Sequence, residues 1–263
     1  MKKMLCSVII ISTALISLFS AEVEKNDAWN LTLQSAEDHF HAGIDGQKDE
    51  LLYALKDYQK AMDQGAPEDY RIFYNWANTL MLAGYRGEAA LMYRKVLYYK
   101  PANSNASLNL SLIEKDNPIE AENQGYIRII LFGILYLIGY EPSLYLGLFL
   151  FVFVWFLLIL DLFLKKKSLH KLFVLLLILS LWDLSLCLVW NRTTAKSAVL
   201  VTEQSSLRRG DSHAYEAVHS FDLPAGTSLR FLEERGDWIR VRLRDGSEGW
   251  LERSDTKMVL EDY

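Results

Sequence analysis

The stretch FYNWANTLMLAGYRGEAALMYRKVLYYKP, Phe73 to Pro101, decides how the first half of the chain is read. Phe73, Trp76, Ala77 and Leu80 recur at helical spacing and therefore share one helix face. Gly84-Tyr85-Arg86-Gly87 interrupts the run as a turn. A second helical face carries Ala89, Tyr93 and Val96, and Pro101 ends it. Small residues at Ala77 and Ala89 let two antiparallel helices approach closely, while larger neighbours fill the hollows beside them.

Moving upstream, Ala54, Tyr58 and Ala61 in YALKDYQKAMDQGAP repeat the signature of the second helix. Its expected partner is a helix over Ala28 to Ala42, joined by an insertion from Gly43 to Glu50. Downstream, Asn103 to Lys115 is expected to form a solvating helix with an amphipathic stripe of Leu108 and Leu112. The order of large and small positions resembles the tetratricopeptide repeat, with Phe73 and Trp76 standing where the pattern has Trp and Leu. One such repeat cannot bury its face alone, so residues 22–118 are expected to hold two repeats and a capping helix. The resemblance implies a concave surface that holds a partner's peptide or helix; a spacer that only folds is the alternative. Tyr53, Tyr58, Tyr70, Tyr74 and Tyr85 are candidate contacts. His39 and His41 lie two apart, point to different helix faces and are expected on the surface, with no metal site.

Of the 263 residues, 51% are hydrophobic, and the excess lies in residues 5–19 and 127–190. Lys2, Lys3 and the short apolar core Leu5 to Phe19 read as an export signal over residues 1–21, with an uncleaved anchor as the alternative. Residues 143–164 are nearly all apolar and long enough to span a membrane. A basic turn at 165–171 (KKKSLHK) and a second apolar run at 172–190 complete a helical hairpin. The positive-inside rule places that turn in the cytoplasm and both flanking modules outside. Residues 126–140 are too short for a span and are expected to form an interfacial or re-entrant helix. Asp183 lies near the middle of the second span, where a carboxylate is costly. In a hairpin turning near Ser168, Asp183 falls level with Phe153, and only Ser180 offers it a hydrogen bond. It is therefore expected to be protonated, to be tolerated by a strongly apolar helix, or to meet a polar group on another membrane protein.

After Lys196 the pattern changes to short alternating runs. Trp238, Val241 and Leu243 are expected on one sheet face and Arg240, Arg242 and Arg244 on the other. Asp245-Gly246 signals a hairpin turn. The order G-D-W-I-R-V followed by D-G-S-E-G-W-L resembles the bacterial SH3 (SH3b) domain over residues 197–260, with Trp238, Val241, Gly249 and Trp250 as its signature. Trp238 is expected in the barrel core; Trp250 is either core or ligand-facing. The loop RRGDSHAYEAV departs from the R-x-G-P-S form usual in that family. The resemblance implies a module that binds peptidoglycan or peptide, with a packing role as the alternative.

The fold class expected is thus multidomain: α-helical tetratricopeptide repeats, a two-helix transmembrane hairpin and a small all-β SH3-like barrel. The two cysteines, Cys6 and Cys187, both lie in apolar segments, which leaves neither a disulfide framework nor a Cys-based metal site. The net charge of −5 gives no reason to expect nucleic acid. No nucleophile elbow, P-loop or His-Glu-x-x-His motif is present, so neither an enzyme nor a cofactor is expected. In its order of parts the chain resembles BatE-type proteins of bacterial aerotolerance (Bat) operons. That resemblance implies a non-enzymatic envelope scaffold in the inner membrane, with the repeats and the SH3b domain periplasmic. Its implied partners are membrane proteins with von Willebrand A domains and a MoxR-type ATPase; a peptidoglycan-binding regulator of a wall enzyme is the competing class.

The expected topology is directly testable. Phosphatase fusions after Lys115 and after Tyr263 are both expected to be active. Activity at only one of the two would require an odd number of spans.

Overall fold

The computed structural model describes residues 28–115, 117–119, 132–133, 135–164 and 167–260. The export signal at 1–21, the start of the 126–140 segment and residues 165–166 of the basic turn lie outside the described residues. The chain divides into two compact units between Gly84 and Tyr85.

Among the described residues, the first unit holds three helices: α1 (28–44), α2 (Lys48–Asp63) and α3 (Tyr70–Ala83). The expected insertion from Gly43 to Glu50 is instead a tight turn of three residues, 45–47, in which Gly46 has φ +113°. Ala36, Ala54 and Ala61 are wholly buried, and such small side chains let α1 and α2 lie close. Hydrogen bonds from Thr32 Oγ1 to Gln64 Oε1 (2.8 Å) and from Ser35 Oγ to Asp57 Oδ2 (2.7 Å) tie them. Tyr58 of α2 stacks on Trp76 of α3, with ring centroids 6.1 Å apart and planes inclined by 16°. Asp69 caps α3 by accepting the Arg71 N–H at 2.7 Å, and Gly84 ends it in the left-handed region at φ +91°. Phe73, Trp76, Ala77 and Leu80 are all buried, as their common spacing requires.

The second unit begins with α4 (Arg86–Tyr99) and α5 (Ser104–Glu114). Ala89, Tyr93 and Val96 of α4 are buried, and Asn109 of α5 donates to the Tyr93 hydroxyl at 3.0 Å. Pro101 is buried in the connection, and Asn103 caps α5 through the Ala106 N–H at 3.0 Å. The buried stripe of α5 is Ala106, Leu110 and Ile113, with Leu108 and Leu112 exposed, which corrects the sequence expectation. Residues 106, 110 and 113 follow the i, i+4, i+7 rule; position 108 lies some 200° round the helix from 106.

Two long apolar helices follow, α6 (Tyr140–Leu164) and α7 (Lys167–Ala195), and both are long and apolar enough to cross a membrane. At 1.5 Å per residue each exceeds the ~30 Å hydrocarbon thickness. Their outward residues, among them Phe149, Val152, Trp155, Ile178 and Trp182, are apolar and exposed. Helix α6 starts at Tyr140 rather than after Pro142, because a proline fits the first turn, where its missing N–H costs nothing. Residues 132–133 and 135–138 are also helical.

The tail is antiparallel β. Strands β1 (Ser197–Leu200), β4 (Ser228–Arg235), β5 (Trp238–Arg242), β6 (Glu248–Glu252) and β7 (Thr256–Met258) form one sheet in the order β6-β5-β4-β1-β7. The short strands β2 (Gln204–Ser205) and β3 (Leu223–Pro224) pair with each other. The interior is Ala198, Leu200, Leu207, Leu223, Leu229, Ile239, Val241, Leu243 and Leu251, to which Ile119 adds a plug from outside the sheet. Here the expected place of Trp238 is corrected. Strand side chains alternate with period two, so Ile239, Val241 and Leu243 face inward and Trp238 shares the outer face with Arg240 and Arg242.

Helices α4 and α5 lie directly on this barrel. A Cβ at Gly87 would stand 2.5 Å from the Val201 carbonyl oxygen, and one at Gly226 would stand 2.6 Å from Ile113 Cγ2. Glu114 bridges Arg94 and Arg244, the latter at 3.2 Å. At its other end, α4 meets the hairpin: Trp190 Nε1 donates to the Tyr98 carbonyl at 3.2 Å, and the Tyr98 hydroxyl donates to Asn191 Oδ1 at 2.9 Å.

Strand parity sets the expected mutational ranking. Ile239→Ala should destabilise the barrel by about 2–5 kcal/mol, and Trp238→Ala by less than half as much. Pulse proteolysis of the full chain in increasing denaturant measures both; the reverse order would refute the inward placement of Ile239.

Candidate functional site

Within the first unit a groove of about 330 Å³ lies between α1 and α3. Trp29, Leu33 and Glu37 come from α1; Arg71, Ile72 and Asn75 come from α3. These are successive turns of each helix, so the amphipathic spacing that buries Phe73, Trp76 and Ala77 turns Ile72 and Asn75 toward the groove. Asn75 Nδ2 donates to Glu37 Oε1 across it at 3.4 Å. The floor is Tyr58, which is 1% exposed and whose hydroxyl forms no hydrogen bond of normal geometry among the described residues. Burial, reinforced by the Glu37 carboxylate and opposed by Thr79, raises the Tyr58 phenol above its ordinary range. At the rim, the hydrogen bond from Arg71 holds the Asp69 carboxyl below the usual carboxylate range, with partial burial opposing. The groove therefore offers apolar walls, paired charges at its rim and a neutral hydroxyl at its base. Sequence reasoning singled out Tyr58 but missed Trp29, Leu33 and Glu37, whose helix carries no repeat signature of its own. His39 faces Glu50 at 2.5 Å and Asp57 at 3.7 Å.

A second cleft, of about 380 Å³, lies on the outer face of the barrel. Its roof is the loop that begins at Leu207. Arg208 holds that loop closed by donating to the carbonyls of His213 (3.0 Å) and Tyr215 (2.9 Å), and its backbone pairs with Trp250 in both directions. The crossing explains the Gly-Trp pair of the signature. A Cβ at Gly249 would stand 2.6 Å from the Arg208 carbonyl oxygen and from Leu207, so only glycine lets the loop pass. Trp250 is buried beneath, with the Arg235 guanidinium 4.8 Å above its ring centroid. Asp211, the residue by which this loop departs from R-x-G-P-S, accepts from Arg235 at 3.1 Å and fixes it there. Arg240 pairs with Glu248 at 2.8 Å and Glu233 at 3.5 Å. The Arg242 hydrogen bond lowers the Glu248 carboxyl, with partial desolvation opposing and Arg240 assisting. Trp238 stands nearby, half-buried, against the His213 ring at 5.0 Å. The cleft is thus lined by alternating charge over a covered aromatic floor.

Asp183, the polar residue flagged by sequence in the second apolar run, is turned toward α6. It is 6% exposed and accepts from Ser143 Oγ at 2.7 Å. Ser180 donates to the Gly147 carbonyl at 3.0 Å instead of to Asp183. Two expectations are corrected here. Asp183 lies level with Ser143 and Gly147 rather than with Phe153. At that level the first helix does supply a polar side chain. Gly147 makes the approach possible, since a Cβ there would stand 2.8 Å from Asp183 Oδ2.

Among known families, residues 206–257 match the model described as Bacterial SH3 domain. This segment is therefore a bacterial SH3 domain, within the 197–260 span expected from sequence. No significant match was found among curated proteins or among solved structures.

The close packing at Gly147 predicts a graded response. Gly147→Leu is expected to destabilise the hairpin by about 1–3 kcal/mol through overpacking, and Gly147→Ala by less. Thermal unfolding in detergent, followed by accessibility of Cys187, measures both; an unchanged Gly147→Leu variant would contradict the register set by Ser143 and Asp183.

Proposed function

We propose that this protein is a membrane-anchored, non-enzymatic scaffold of the bacterial envelope that holds partner proteins through tetratricopeptide repeats. The groove between α1 and α3 carries this reading. It has apolar walls, rim charges and a buried hydroxyl at its base, and it is a cleft of the size that accepts a side-chain cluster of a docked peptide. The buried repeat signature Phe73, Trp76, Ala77, Leu80, Ala89 and Tyr93 supports the repeat assignment. The two long apolar helices support an anchor in the inner membrane. A place beside von Willebrand A-domain membrane proteins and a MoxR-type ATPase, in a Bat-type complex for stress tolerance, is what the resemblance to BatE-type proteins implies. In this reading the repeat region and the SH3 domain are periplasmic.

A second reading has its own support in the barrel. Bacterial SH3 domains commonly bind peptidoglycan, and the charge-alternating cleft around Arg240 and Glu248 suits a peptide carrying both charges. Under it the chain is a wall-binding regulator of a peptidoglycan enzyme.

A photocrosslinking residue in place of Ile72 in the full-length protein, expressed in cells, distinguishes the two. The scaffold reading expects a discrete adduct with one envelope protein, reduced at least tenfold when Leu33→Glu sets a carboxylate beside Glu37. The absence of any discrete adduct would overturn it. Co-sedimentation with purified sacculi that Arg240→Glu abolishes would instead establish the wall-binding reading.

A further inference from the structure

A third cleft, of about 1020 Å³, is neither of the two above. It lies where α7 runs into the barrel, and its lining is strongly biased in charge. Arg192 and Lys196 come from the end of α7 and the residue after it, Arg230 from β4, Arg253 from the turn before β7, and Lys257 from β7. Against these five cations stands one carboxylate, Glu234, which Arg253 already engages. Among the described residues, Arg192, Lys196, Arg230 and Lys257 have no ion-pair partner. This accumulation occurs in a chain whose net charge is −5. Like charges brought together at a concave surface repel one another, and a bound anion relieves that repulsion.

Position supplies the second argument. Leu188 and Val189, on the last turn before Arg192, are exposed and apolar, as expected of residues against acyl chains. One helical turn advances 5.4 Å. The cations therefore begin about one turn beyond the end of the apolar surface, at the depth of lipid phosphates. The floor of the cleft is apolar, with Phe231, Ile239 and Met258.

We propose that this cleft binds the headgroup of an anionic phospholipid, its phosphodiester held by Arg192, Lys196, Arg230 and Lys257 while its acyl chains follow the apolar face of α7. The chemistry selects against choline and ethanolamine headgroups, whose own cation would meet the same four charges. Phosphatidylglycerol-type lipids carry the phosphate without that cation. The proposal rests on the reading that α6 and α7 cross the membrane.

The test uses the purified full chain in detergent, titrated with phosphatidylglycerol or phosphatidylcholine and followed by native mass spectrometry. Phosphatidylglycerol is expected to bind about tenfold or more tightly than phosphatidylcholine, since each juxtamembrane cation contributes appreciably to such binding. The Arg230→Gln/Lys257→Gln pair should lose that preference. A pair with the same loss of charge on α2, Lys56→Gln/Lys60→Gln, should keep it. Equal affinity for both lipids, or an unchanged preference in the cleft variant, overturns the proposal. Displacement of the lipid by glycerol phosphate at equal concentration would reassign the cleft to soluble phosphates and also overturn it. Should the cleft variant not fold, the wild-type preference must still weaken with rising salt, as screening demands; a salt-independent preference would refute the charge argument. Alkaline carbonate extraction of membranes tests the anchor separately: release of the wild-type chain would overturn the spanning reading, whatever the lipid preference.

Discussion

The second unit depends on how near α4 comes to the barrel backbone. At Gly87 the helix meets the Val201 main chain with no room for a methyl group, and at Gly226 the barrel meets α4 and α5 in the same way. Contact at that distance is possible only where glycines remove the side chains from between. It brings Glu114 within reach of both Arg94 and Arg244, and it sets Asn117 against Thr227, with Nδ2 donating to Oγ1 at 3.0 Å. Ile119 then enters the barrel core. Exposed ion pairs alone would contribute little; the half-sheltered Glu114 bridge matters because apolar packing around it has already fixed its geometry.

Much of this was legible in the sequence, for a physical reason. Phe73, Trp76, Ala77 and Leu80 reveal a helix because burial imposes a 3.6-residue period on their positions. The turn at Asp245-Gly246 is legible because Gly246, at φ +87°, takes up a backbone conformation that few other residues accept. The bacterial SH3 domain shows through Gly249-Trp250, where the loop crossing leaves no alternative to glycine. These are constraints in which a single position answers to its own local geometry.

The misplaced residues share the opposite property. Trp238 reads as core because tryptophan is large and apolar, yet strand parity puts Ile239 inside. A count by two from the well-placed Val241 would have found it. Leu108 and Leu112 form a correct helical pair, but two leucines alone cannot tell which face a neighbour will cover. The level of Asp183 depended on where the hairpin turns, and a basic run such as KKKSLHK marks a turn without locating its apex. Any shift of the apex moves the facing level by twice as much, and the facing level is that of Ser143 and Gly147, not of Phe153. The groove residues Trp29, Leu33 and Glu37 were invisible for a related reason, since their place is set by the helices opposite them.

The junction of α7 with the barrel has a mechanical consequence. The helix ends at Ala195 and the first strand begins at Ser197, so Lys196 alone separates them. The Lys196 carbonyl is itself held, accepting the Phe231 N–H at 2.8 Å. A joint of one residue, pinned on the sheet, stores no slack. Displacement of the barrel is therefore passed to α7 directly, because no tether can pay out. Through the Trp190 and Tyr98 contacts, α4 is carried with it. The barrel, α4 and the end of α7 are thus joined without a flexible tether.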